Sequence, residues 1–242
     1  MICKLCTFDK SLVDSHIIPD FCYKQIYRKF DGAQQDQNKP RHRAYKVTLD
    51  KTVRSGLKKL PIQTGLKEKL LCSDCEGLLN DRYEKYFNQN WLVSKKLPEN
   101  LKEKTFVTLS GIDYQKFKLF HLSILFKAGI SKLPEFSSVV LGRHEEEIRR
   151  MLWDDDPGKD THYVILANAI IDGSNKIKYD LITAPYKLRL PNGYNGYGFC
   201  FAGCEWYYVV DKRETNHFDY LQLKADGKIT LTAVNWLKFL NW

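Results

Sequence analysis

A chain of 242 residues with 43% hydrophobic and 13% aromatic residues can bury a sizeable core, and it carries a formal charge of +9. That composition excludes a largely disordered, collagen-like or coiled-coil protein. No apolar run reaches the roughly 18 residues that span a bilayer, and Met1 to Cys6 lack a basic region followed by an apolar signal core; the expectation is a cytoplasmic protein with no membrane partner.

In chain order, residues 1 to about 95 hold two Cys-x-x-Cys pairs and show no continuous periodic core pattern before Leu78, which marks a metal-organised module. Ser94 to Lys104 is polar and is the candidate linker to a second part, residues 105–242. From Asp113 to Ala128, Phe117, Phe120, Leu122, Ile124, Leu125 and Ala128 recur at helical spacing, with Asp113 as N-cap and Gly129 as stop. A second helix is expected from Ser137 or Ser138 through Trp153, before the acidic turn Asp154 to Gly158. Five later segments read as strands: Thr161 to Ile171, Lys176 to Tyr186, Tyr197 to Asp211, Tyr220 to Leu223 and Lys228 to Val234. Together they predict an antiparallel sheet of four or five strands, so the fold class is α+β: a small metal-stapled module with a basic insertion, followed by an α+β domain with two helices.

The positive charge is concentrated. Between Tyr23 and Leu70 there are 13 Lys and Arg against four acids, and the rest of the chain is balanced. A basic segment of this kind suits a polyanion, because each cation that meets a phosphate releases condensed counterions. Lys39, Arg41, His42, Arg43 and Lys46 are the candidate phosphate contacts, and Tyr23, Tyr27, Phe30 and Tyr45 lie among the basic residues as stacking surfaces. A solvated loop kept soluble by its lysines is the competing account. Nucleic acid, and DNA in particular, is the expected partner; a protein partner or a second copy through the carboxy-terminal domain stays open.

Cys3, Cys6, Cys72 and Cys75 supply four thiolates in two knuckles, the number and spacing of a closed structural zinc site. Metal binding can then fold a segment with too little apolar surface to fold alone. A redox pair is disfavoured because neither knuckle sits in a βαβ pattern, while an iron-sulfur cluster can use the same four ligands. Of the other cysteines, Cys22, Cys200 and Cys204 read as buried thiols, the last two on one face of a single strand. His121 reads as a core residue, His144 to Glu147 as a charged helix face, and Gly193 to Gly198 as a hairpin loop rather than a phosphate loop.

Cys-x-x-Cys, then Ser15-His16-Ile17-Ile18-Pro19, then Leu71-Cys72-x-x-Cys75 resembles the HNH endonuclease family, over roughly residues 1–90. The resemblance implies a zinc-stapled treble-clef or ββα-metal fold, with His16 as the general base that activates water beside one divalent cation such as Mg²⁺. Three positions depart from the family pattern. Ser15 stands where an aspartate ligand is usual, with Asp14 or Asp20 as substitutes; Lys67 stands in place of a middle Asn; and Glu76 follows the last cysteine in place of His or Asn. A carboxylate ligates Mg²⁺ or Mn²⁺ at least as well as an imidazole, so Glu76 is the expected ligand of the catalytic cation. Asn80 and Glu84, four and eight residues after it, read as an exposed helix edge beside Leu79, Tyr83, Tyr86 and Phe87. The resemblance predicts a DNA endonuclease, with restriction or antiviral defence as the setting such proteins often serve. The alternative is a non-catalytic nucleic-acid-binding or sensing protein that keeps the zinc scaffold with a degenerate site.

Overall fold

The computed structural model describes residues 1–28, 44–49, 57–62, 65–211, 213–215 and 217–236. Lys39, Arg41, His42 and Arg43 lie outside them. The amino-terminal part begins with a tight knuckle in which the Cys3 amide donates to Phe8 O and the Thr7 amide returns to Cys3 O. Strand β1 (Leu12–His16) then pairs antiparallel with β4 (Lys67–Cys72), in the register Leu12 to Cys72 and His16 to Lys67, with an irregularity between Val13 and Asp14. Between them lie α1 (Asp20–Arg28) and the antiparallel pair β2 (Ala44–Leu49) and β3 (Leu57–Ile62); Lys46 is in β2, opposite Leu60.

After β4 the chain enters one long helical run. It consists of α2 (Ser73–Leu79), a π-helical stretch Asn80–Glu84, α3 (Lys85–Phe87) and a second π stretch Asn88–Val93. The wider π turns rotate the side chains that follow, a device common at functional sites. The rotation turns Tyr83, Phe87 and Trp91 inward, and all three are at most 1% exposed. The expected linker is ordered at two points, where Leu97 and Leu101 are buried.

Helix α4 (Tyr114–Ile130) matches the sequence reading at its start, where the Asp113 carboxylate accepts from the Lys116 amide. Gly129 does not stop it: the helix runs to Ile130 and ends at Ser131 in extended conformation. The second helix is shorter than expected. A 3₁₀ turn at Pro134–Phe136 precedes α5 (His144–Asp154), because Gly142 at φ +55° interrupts the backbone just before it.

The sheet is mixed rather than antiparallel, and has six strands in the order β5-β10-β6-β9-β8-β7. These are β5 (Phe106–Leu109), β6 (Ile165–Ile171), β7 (Tyr186–Arg189), β8 (Asn195–Phe201), β9 (Cys204–Val209) and β10 (Ile229–Asn235), with β10 parallel to β6 and every other pairing antiparallel. The Tyr197 to Asp211 segment is two strands, joined at Ala202 (φ +53°) and Gly203 (φ +82°), a pair of left-handed residues that closes a hairpin. Cys200 and Cys204 therefore sit on neighbouring strands, both fully buried. Residues 176–185 do not form the expected strand: the Asp172 carboxylate caps a turn through the Ser174 and Lys176 amides, and Pro185 lacks a donor. Tyr220 to Leu223 is a turn, with the Leu221 and Gln222 amides donating to Phe218 O.

One apolar core runs from the knuckle to β10. At its centre Phe87 stacks on Phe120 at 3.9 Å, and Trp91 lies 5.1 Å from Trp206. His121 sits fully buried among these rings and bonds Tyr208 OH through Nδ1 at 2.9 Å. Among the described residues no helix is long and apolar enough to cross a membrane.

Candidate metal centre and adjoining groove

Three elements meet at the cysteine cluster. The amino-terminal knuckle carries Cys3 and Cys6, β4 ends on Cys72, and the first turn of α2 presents Cys75. The four Sγ atoms lie within 4.8 Å of one another, and all four residues are buried. Cys6 Sγ and Cys72 Sγ are 3.9 Å apart. The edge of a sulfur tetrahedron with arms of about 2.3 Å is about 3.8 Å, so the cluster can hold a metal ion such as zinc. The Cys72 amide donates to Cys3 Sγ at 3.3 Å. Burial pushes the Cys3 thiol up, but the amides of Cys6, Cys72 and Leu5 outweigh it and hold the thiol down at about 7, which favours a thiolate. Burial raises Cys6 and Cys75. Contacts outside the cluster lock its geometry: Lys10 pairs with Asp74 at 2.8 Å, and Arg149 on α5 donates to Leu5 O at 2.7 Å.

His16 ends β1 on the flank of this centre. It lines a groove of about 530 Å³ together with Asp20 and Lys24 of α1, Glu76 and Asn80 of the long helix, and Glu84. His16 Nε2 and Glu76 Oε2 are each covered and have no hydrogen-bond partner. Leaving a buried polar atom unpaired is costly, and a polar ligand in the groove could satisfy both. Carboxylate and imidazole donors suit a hard divalent cation. Among the described residues, however, the cysteines form the one cluster of three or more candidate ligand atoms within 4.8 Å of each other, so the groove side chains are not drawn together as tightly.

The neighbours of His16 account for the departures seen in the sequence. Ser15 is fully buried, and strand alternation turns it away from His16. Asp14 pairs with Lys67 at 3.0 Å. Asp20, the first residue of α1 directly after Pro19, comes to 4.0 Å from His16 Nε2 and also pairs with Lys24 at 3.3 Å. Of the two substitutes for Ser15, Asp20 is the one that shares the groove with His16 and Glu76.

Two readings need correction. Glu84 is not an exposed edge: it is buried, and its carboxylate pairs with Lys127 at 2.9 Å. Burial alone would push the Lys127 ammonium down, but Glu84 and Glu76 outweigh it and hold it up. Lys127→Met should therefore strand a buried carboxylate and cost about 3–5 kcal/mol in urea unfolding, with Lys127→Met/Glu84→Gln recovering most of the loss. Tyr23 is not a stacking surface either; it is 4% exposed and packs against Gly65. A Cβ at Gly65 would stand 2.5 Å from the Tyr23 ring and 3.1 Å from His16 Cδ2, so a side chain here would displace Tyr23 and crowd His16. Neither Gly65 nor Lys127 carries a sequence signal, because each acts through a contact made only in the fold. Comparison with protein-family models, with curated proteins and with solved structures finds no match to this chain.

Proposed function

We propose that the chain is a metal-dependent endonuclease of the HNH type, with zinc on Cys3, Cys6, Cys72 and Cys75, that hydrolyses phosphodiester bonds of DNA, in keeping with a restriction or antiviral role inside the cell. The observation that carries the reading is the pair of unpartnered polar atoms, His16 Nε2 and Glu76 Oε2, in one groove on two antiparallel strands and a helix that share a four-cysteine centre. Glu76 and Asp20 would hold a divalent cation such as Mg²⁺, which when bound offsets charge on the scissile phosphate. His16 would take the proton from the attacking water as general base. Lys24, at the rim, offers a cation to a neighbouring phosphate.

Incubating the purified protein with plasmid and single-stranded DNA across Mg²⁺, Mn²⁺ and Ni²⁺ tests this reading; cleavage that requires added cation is the expected result. The looser spacing of the groove ligands favours a second reading, a zinc-containing nucleic-acid-binding protein without turnover. Under that reading the protein binds DNA and cuts under none of the metals.

Both readings place the insertion on the phosphates. Replacing Lys39, Arg41, Arg43 and Lys46 together is expected to weaken duplex binding with little dependence on base sequence. It should flatten the slope of log affinity against log salt by about 0.9 for each phosphate no longer neutralised. An unchanged slope would leave the insertion as a solvated loop.

A further inference from the structure

A second groove, about 770 Å³ in volume, opens beside the first and shares Phe21, Lys24 and Asn88 with it. Its size falls in the range of pockets that enclose a small ligand, about 300–1,000 Å³. Part of its lining is apolar, with Phe21, Leu92 and Tyr179 among its residues. Phe21 is fixed from behind by stacking on Phe87 and Phe120 at 6.3 and 6.4 Å, and Tyr179 packs on the hairpin turn at Gly203. Around the same groove stand three exposed lysines from three separate elements: Lys24 on α1, Lys95 after the second π stretch, and Lys176 after the Asp172 turn. Among the described residues Glu99 is the one acid in the lining, and it pairs with Lys95 at 3.4 Å, an exposed ion pair that a phosphate can displace.

We propose that this groove receives an unstacked nucleotide of a single DNA strand, the base against the apolar lining and its flanking phosphates on Lys95 and Lys176, on the way to the His16 groove. The proposal rests on the nuclease reading for its direction but not for its chemistry. A cationic rim calls for an anion, and an apolar aromatic lining gains from the face of a planar ring. An intact duplex hides its base faces in the stack and shows phosphates on a convex surface, so it offers the lining nothing. A strand with a base turned out satisfies rim and lining together. Continuity through Phe21, Lys24 and Asn88 puts that strand within one path of His16.

Fluorescence anisotropy with a labelled oligothymidylate and a labelled duplex of equal length, without added divalent cation, tests the assignment free of cleavage. Lys95→Ala/Lys176→Ala should bind the single strand about 10-fold more weakly at low salt, with a salt slope smaller by about 1.4, two phosphates at about 0.7 each, and with duplex affinity little changed. Phe21→Leu, which keeps most of the core volume, should weaken single-strand binding about tenfold, because the stacking surface is lost, at an unaltered salt slope, because no charge is removed. Single-strand affinity unchanged in both variants would overturn the proposal, and so would an equal loss on duplex and single strand. Cleavage does not enter this readout, so failure of the His16 chemistry and failure of the groove are seen separately.

Discussion

His16→Ala should abolish most phosphodiester cleavage, by a factor of about 10² or more, while zinc content, thermal unfolding and DNA binding stay close to those of the unaltered protein. The separation is expected because His16 is not one of the four thiolates and its ring lines a groove rather than filling the core. Glu76→Ala in the same assay should shift the divalent-cation concentration needed for cleavage, since removing a carboxylate ligand weakens metal affinity first. Cleavage undiminished in His16→Ala would move the chemistry elsewhere on the chain.

Cys72→Ser should have the largest effect on the folded state. Zinc in structural sites of this kind contributes on the order of 10–16 kcal/mol to folding of small modules, and Cys72 is both a ligand and the donor, through its amide, to Cys3 Sγ. Zinc per chain, read by elemental analysis, should fall from about one to near zero. A loss of about 3 kcal/mol or more should lower the unfolding midpoint by about 6 °C or more. Cys22→Ser provides the contrast, a buried thiol outside the cluster whose replacement should leave zinc in place. Iron in place of zinc in the isolated protein would reassign the cluster.

What could be read from sequence followed the range of the interactions involved. The four cysteines were legible because ligand spacing within each knuckle is local, and the start of α4 was legible because Asp113 caps it three residues away. The strand pairing was less so. The parallel contact of β10 with β6 brings together segments far apart in the chain, and β5 is a four-residue edge strand with Phe106 exposed, too short to show a period. The β8 to β9 hairpin was hidden because its turn is Ala-Gly rather than the stronger Asn-Gly or Asp-Gly signal. The resemblance singled out His16 and Glu76, and the fold brings both to one groove. The burial of Glu84 was not legible, because it depends on a lysine 43 positions later on another helix. Asp20 could be named only as one of two substitutes, since the choice depends on how α1 leaves β1.

The pairing of β1 with β4 and the approach of Cys6 to Cys72, 66 positions apart, close the chain on itself on either side of the basic excursion. Closing a flexible loop costs only about 0.6 kcal/mol more for each doubling of its length. The stapled hairpin therefore works as a socket. Segments of different length or charge can be exchanged between α1 and β4 while the β1–β4 pairing holds the two ends, so the length and charge of the excursion are free to change around a scaffold that does not.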